Sequence, residues 1–348
     1  MTAMPRIVGI DAARGLAVLG MMTAHVGPDD DGPVPPGGVS QVVDGRSAAL
    51  FVVLAGVSLA LLSGGPQPVT GTRLVQARVR VLVRGVLLVA LGTLLDVLGT
   101  PVAVILPTYG LLFAVGCLAL RLPPSTLLAI SAVVALVGPS VRLAVASALE
   151  TTESASALTD LAVGHFYPAA VWTSYLLTGV ALGRLDLRAS RVRRGAVLAG
   201  GGLVVLGYGG SWLVRTAGLG LPADLTTSAP HTSTTFEVTG NTGVALLVVA
   251  VLVAVAERWP RVLAPLSATG ALALSAYTLH VVAIAALGEG VVREPTPGVW
   301  LSFLVSTLAL CWAWQAWIGR GPFERLLHRV STRAGDIAPD RLPEPTPR

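Results

Sequence analysis

The chain has no lysine: all 24 of its basic residues are arginine. It has two cysteines and five histidines, and only 12% of its residues are charged, half the share usual in a soluble domain. Cys117 and Cys311 stand alone within apolar runs, so the sequence offers neither a disulfide framework nor a thiolate metal site. The histidines are equally scattered, which speaks against any metal centre. There is no Gly-rich loop ending in Lys-Ser/Thr, no GxSxG elbow and no HExxH helix. Phosphate-loop, elbow-type hydrolase and zincin chemistries are therefore excluded.

What remains is apolar. Hydrophobic residues make up 53% of the chain, and the mean hydropathy is +0.74. About ten stretches approach the roughly 20 residues needed to cross hydrocarbon: 8–26, 46–64, 80–98, 101–120, 124–146, 167–184, 195–216, 240–257, 263–287 and 299–319. The arginines cluster in alternate connections. One set holds Arg73, Arg78, Arg80 and Arg84, then Arg121, then Arg184 to Arg194, then Arg258 and Arg261, and finally the C-terminal tail. The other set holds Arg46, Arg215 and Arg293 among Asp29, Asp30, Asp31, Asp44, Glu150, Glu153 and Asp160. By the positive-inside rule this predicts an all-α integral membrane protein of about ten spans with both termini in the cytoplasm. It sits in the cell membrane as a multi-pass chain, with the lipid bilayer as its first partner. The net charge of +5 lies beside the spans, where anionic lipid attracts it, so no nucleic-acid partner is read from it.

Residues 1–330 read as one transmembrane domain. Its last segment, 321–330 (GPFERLLHRV), spaces apolar and basic residues like a helix lying on the inner surface. Residues 331–348, ending in PEPTPR, read as a disordered cytoplasmic tail. Asp11 and Arg14, inside the first apolar run, argue against a cleaved leader. Pro107 and Pro139 are expected to kink the spans that hold them.

Ionisable groups within spans are costly and point to function. The first span has three, Asp11, Arg14 and His25. On a helix Arg14 and His25 fall roughly 60° and 40° to one side of Asp11, so all three share a face. His25 lies roughly 21 Å further along the axis, near the outer surface. Two readings stay open: an interfacial Asp11–Arg14 pair with an unrelated His25, or one polar track through the membrane. His280, with Tyr277 one turn earlier, is the second histidine placed deep in a span. Asp44 either orients His25 or pairs with Arg46, the plain salt bridge being favoured. Asp96, Arg142, His165 and His231 complete the outer polar set, and His328 reads as a surface residue.

The segment IVGIDAARGLAVLGMMTAHV resembles the opening span of two related families. One comprises the heparan-alpha-glucosaminide N-acetyltransferase-like proteins, including the bacterial YeiB/DUF418 membrane proteins. The other is the acyltransferase-3 family. Further matches to the bacterial group are DGRSAALFVVLAGVSLAL (44–61), GRLDL (183–187), PHTSTTFEVTGNTGVAL (230–246), SAYTLH (275–280) and GPFERLLHRV (321–330). The resemblance implies transfer of an acyl group, acetyl in the first instance, from cytoplasmic acyl-CoA to an extracytoplasmic sugar amine or hydroxyl of a glycan or glycolipid. It makes Arg14, held by Asp11, the cation for the donor's phosphates. His25 becomes the general base or the acyl-carrying nucleophile, with Asp44 or His280 as its orienting partner. Arg46, His231 and Tyr277 are then candidates for binding the acceptor. No metal is implied, and a homodimer is left open. The chain departs from the pattern at Pro36, where acyltransferase-3 proteins commonly carry a second histidine, and in having no histidine within 27–45. The rival readings are a transporter or flippase of a small polar or lipid-linked molecule, and a scaffold without chemistry.

Overall fold

Glycine and alanine runs let helices meet backbone to backbone, and the computed structural model, which describes residues 6–28, 38–150 and 156–337, is built on such contacts. Every regular element among the described residues is helical. In chain order they are α1 (Val8–Val26), α2 (Gly38–Val43), α3 (Arg46–Leu62), α4 (Gly71–Asp96), α5 (Thr108–Ala119) and α6 (Pro124–Glu150). There follow α7 (Ala157–Val163), α8 (Ala169–Gly183), α9 (Ser190–Val204), a π-helical turn (Val205–Gly209), α10 (Gly210–Thr216) and α11 (Ala223–Thr226). The last are α12 (Thr235–Arg258), α13 (Ala264–Ala271), α14 (Ala273–Leu287), α15 (Gly290–Arg293), α16 (Pro297–Trp317) and α17 (Pro322–Gly335). The expectations placed on Asp29, Asp30, Asp31, Pro36, Glu153, Arg341 and Arg348, and on the side chain of Glu150, lie outside the described residues.

Among the described residues, five helical segments are long and apolar enough to cross a membrane: Gly38–Leu62, Pro124–Leu149, Ser190–Thr216, Thr235–Arg258 and Pro297–Trp317. The α13–α14 pair, counted as one broken span, makes a sixth. On the periphery, Leu136, Leu198 and Leu310 are 63%, 77% and 66% exposed. Such a surface would drive aggregation in water and is what hydrocarbon solvates. The buried centre is formed by α1, α3, α5, α8 and α14, with Trp172, Tyr175, Tyr277 and Met22 among its fully enclosed side chains.

Two apolar stretches depart from the expected straight helices. Residues 101–107 are not helical; only Thr108–Ala119 of the expected span 101–120 is. Pro101 and Pro107 lack an N–H, and Pro107 disfavours helical backbone at Leu106. Pro107 thus precedes a helix rather than kinking one, whereas Pro139 does lie inside α6. Irregular backbone at membrane depth is tolerated only where protein encloses it, and Ile105 and Leu106 are each 1% exposed. The second departure is the expected span 263–287, which breaks at Leu272 with an 81° bend between α13 and α14. Before the break, Gly270 touches the Asp11 carbonyl of α1, where any side chain would collide. The amphipathic C-terminal helix continues to Gly335, beyond the expected boundary at 330.

Candidate functional site

The polar face of α1 has two ends, and each opens on its own cavity. At the N-terminal end, the Asp11 carboxylate accepts from Arg14 at 3.0 Å and from Arg6. Held this way, the Arg14 guanidinium also donates to Ser58 Oγ at 2.9 Å and to the Gly270 carbonyl at 3.3 Å. The Gly270 bond places a cation on one of the carbonyls freed where α13 ends, as a helix C-terminus prefers. Arg14 lines a cavity of about 290 Å³ together with Ser58, Arg84, Tyr109, Glu324 and His328. A neighbouring hollow of about 380 Å³ has Arg6, Asp11, Arg14, Asp186 and Arg188 in its wall. His328, expected at the surface, therefore belongs to this end. Its pKa lies below the ordinary value because burial, and then Arg320, Arg84 and Arg80, oppose a further positive charge.

At the other end of α1, His25 Nδ1 lies 3.0 Å from Nε2 of His280 on α14, their rings stacked 5.2 Å apart. A hydrogen bond between two imidazoles fixes complementary tautomers. When His25 Nδ1–H donates, His25 Nε2 keeps its lone pair. Tyr277 stands edge-on behind His280 at 5.1 Å and is 1% exposed; it lines neither cavity.

His25 shares a cavity of about 170 Å³ with Asp44, His231, Phe166 and Tyr167. Asp44 takes neither of its expected partners. Its Oδ1 accepts from the Gly45 N–H at 2.9 Å and lies 2.9 Å from His231 Nε2. Arg46 forms no side-chain pair with it. The Arg46 guanidinium instead donates to Tyr208 Oη at 2.9 Å and to the Gln41 and Val42 carbonyls, all away from the cavity. Arg46 begins α3, where its stem turns it outward over the Tyr208 ring.

His231 sits in the turn before α12 with φ +60, and Ser233 follows with φ +54, a conformation costly for residues other than glycine. Glu237 holds that turn. Its carboxylate accepts from His231 N–H at 2.9 Å, Ser233 N–H at 2.6 Å, Thr232 Oγ1 at 3.2 Å and Asn241 Nδ2 at 3.3 Å. Thr234 caps α12 by accepting from Glu237 N–H, the first half of a capping box in the sequence TTFE, while the Glu237 carboxylate reaches past the cap to Ser233 and His231. Arg142 fastens the turn from α6, donating to the Thr232, Val163 and Gly164 carbonyls. Trp172 stacks on the imidazole, and Phe166 and Tyr167 meet it edge-on. Burial pulls the His231 pKa down, but the bond to Asp44 and its charge outweigh this and raise it above the ordinary value. His165 lies edge-on to Phe166 and off the cavity.

The two cavities share no lining residue. Between them lie Val18 and Met22 of α1 and Ile105 of the irregular segment, all buried. Val102 and Ala103 of that segment line the His25 cavity, whereas Leu106 lines the Arg14 cavity. Glu237, Phe166 and Tyr167, and at the far end Arg84, Glu324, Asp186 and Arg188, were not singled out as site residues from the sequence. The capping-box pattern was the one readable signal for Glu237.

Comparison with known families divides the chain in two. The profile "Heparan-alpha-glucosaminide N-acetyltransferase, catalytic" matches residues 6–207, and "Protein of unknown function (DUF418)" matches residues 184–334. No curated protein matches the chain. Both close pairs at the His25 cavity cross between the matched regions: His25 and Asp44 come from the first, His280 and His231 from the second. The two regions therefore build a single site. With the first match covering more than half of the sequence, the chain belongs to the heparan-alpha-glucosaminide N-acetyltransferase catalytic family.

Proposed function

We propose that the protein is a multi-pass enzyme of the cell membrane that moves an acyl group, acetyl in the first instance, from cytoplasmic acyl-CoA to an extracytoplasmic sugar amine or hydroxyl of a glycan or glycolipid. In this reading all ten apolar stretches span or enter the bilayer, with both termini inside. The arginine-lined cavities then face the cytoplasm and the imidazole pair faces outward. The observation that carries the reading is the single face of α1, with a guanidinium held by a carboxylate at one cavity and an imidazole held by a second imidazole at the other.

Arg14, with Arg84 beside it, supplies charge for the donor's phosphates. His25 Nε2 either removes the proton from the acceptor as it attacks the thioester carbonyl, or attacks that carbonyl itself. In the first route CoA leaves as its thiol while the acyl bond to the acceptor forms. In the second, Nε2 bonds to the carbonyl carbon as the C–S bond breaks and CoA thiolate departs. The acceptor then attacks the acyl-imidazole, the C–N bond breaks, and the acceptor's proton leaves by way of the freed imidazole to the thiolate. His280 orients His25 in both. Asp44, charge-balanced by His231, is the acceptor-side carboxylate. Contact between thioester and His25 requires the layer of Val18, Met22 and Ile105 to part.

The test uses purified full-length protein in lipid nanodiscs with radiolabelled acetyl-CoA. Transfer or hydrolysis of the acetyl group, abolished in His25→Ala, is expected. Coenzyme A should raise the melting temperature of the wild type, and that of Arg14→Ala only at about tenfold higher concentration. The broken α13–α14 span favours the second reading, a transporter or flippase, because such breaks line transport sites. An inert acetyl-CoA and an unshifted melting temperature would overturn the acyl-transfer reading, and substrate flux in proteoliposomes would then support the transporter.

A further inference from the structure

The break between α13 and α14 leaves backbone groups without helical partners, and two side chains of opposite charge take them up. Arg14 donates to the Gly270 carbonyl at the end of α13. At the start of α14, Glu324 of α17 accepts from the Leu274 N–H at 2.8 Å and the Ser275 N–H at 3.0 Å through Oε1. Its Oε2 accepts from Ser275 Oγ at 2.5 Å. Each charge has the sign its helix end prefers. The fit is close, because a Cβ on Gly321 would press on Ser275 Oγ at 2.6 Å and on Glu324 itself. Six residues beyond Leu274, on the helix so fixed, stands His280 with its bond to His25.

Glu324 also faces the Arg14 cavity. Gly270, Ala271, Ala273 and Leu274, both sides of the break, line that cavity together with Arg14, Glu324 and His328. Two turns beyond Glu324 along α17, the Ser331 hydroxyl accepts from Arg84 Nε at 3.2 Å. An anion entering here meets Arg14 and Arg84, whose present partners include the end of α13 for the first, beside Asp11 and Ser58, and the helix carrying Glu324 for the second. We propose that Glu324 is a positioning residue that couples occupancy of the Arg14 cavity to the placement of His280, and through it of His25. The ligand's identity as a CoA thioester rests on the function proposed above; the coupling rests on the contacts across the break.

Hydrogen exchange of the full-length protein in nanodiscs, read over residues 274–280 with and without coenzyme A, tests the coupling beside acetyl-transfer kinetics. Glu324→Ala, which removes the acceptor for Leu274 N–H, Ser275 N–H and Ser275 Oγ, is expected to speed exchange there by at least about tenfold, and to lower kcat by a similar factor with KM for acetyl-CoA little changed. Glu324→Gln keeps an acceptor oxygen for the two N–H groups and should retain most of both. Gly321→Ala, which leaves the charge in place but crowds Ser275, should fall between them. Coenzyme A should protect 274–280 in the wild type and fail to do so in Glu324→Ala. Unchanged exchange over 274–280 in Glu324→Ala would overturn the proposal, as would full coenzyme A protection in that variant. A wild type that transfers no acetyl group removes the acyl-transfer reading alone, since the two exchange measurements still decide the coupling.

Discussion

The two ends of α1 satisfy buried polar groups by different means. At the Arg14 end, charges of opposite sign meet each other and the exposed ends of a broken helix: Asp11 on Arg14, Arg14 on Gly270, Glu324 on Leu274 and Ser275. At the His25 end the groups are imidazoles, with one carboxylate and a strained turn that Glu237 keeps in place. The first end is built to hold a permanent charge, as a guanidinium cannot be deprotonated. The second is built mainly from imidazoles, whose ring nitrogens can each give or accept a proton. That division is the one expected when a charged donor is held at one place and a proton moves at another.

Substitutions that separate the ends rank by size. His25→Ala should lower acetyl transfer by about 10²–10⁴-fold, the usual contribution of a proton-transferring group, while coenzyme A still raises the melting temperature. Loss of that thermal response together with activity would merge the two ends into one. Glu237→Ala removes the acceptor for His231, Ser233, Thr232 and Asn241 at once, and should cost about 3 kcal/mol in unfolding experiments. A change under half that would mean the positive-φ turn holds itself. Arg14→Ala should weaken coenzyme A binding by about tenfold, as for one charge-assisted contact, with His25 chemistry intact at saturating donor.

A smaller effect is set by pH. The folded His231 has its pKa raised above 6.5 by Asp44, so its protonated form binds more firmly in the folded state. This stabilisation is fully present below the unfolded pKa of 6.5 and is lost as pH rises through the higher folded value. Thermal melts across that window should show a decline that Asp44→Asn removes; equal slopes in both proteins would exclude the pair as its source. Smallest of all, His165→Gln should stay within about 0.5 kcal/mol of the wild type, since the ring lies edge-on to Phe166 and off the cavity.

Much of α1 was legible in advance. Its helical period put Asp11, Arg14 and His25 on one face, and the Asp11–Arg14 pair follows from a spacing of three. The partners of His25 and Asp44 were not fixed by spacing, because His280 and His231 approach from elements 255 and 187 residues away. The break at Leu272 was hidden for a related reason. The stretch 263–287 reads as continuous helix, and what makes its interruption tolerable, the Glu324 carboxylate, lies 50 residues on in a segment that read only as a surface helix. At 101–107 the prolines signalled disturbance, but composition gave no sign that the backbone would be unwound over its whole length. Arg46 shows the opposite error: nearness in sequence to Asp44 suggested a pair, while the start of α3 aims its guanidinium at Tyr208.

Arg184 carries one more consequence. Buried to 4% exposure, its guanidinium donates to the Ala60, Ser63 and Gly65 carbonyls, to Ser63 Oγ and to the Leu120 carbonyl. The trailing ends of α3, α5 and α8 are thereby levelled at one depth. From that shared level the 12-residue α5 rises only about 18 Å, well short of a hydrocarbon layer about 30 Å thick. Residues 101–107 carry the chain on from its far end, so one guanidinium fixes the level from which the uncoiled strip between the two chambers is reached.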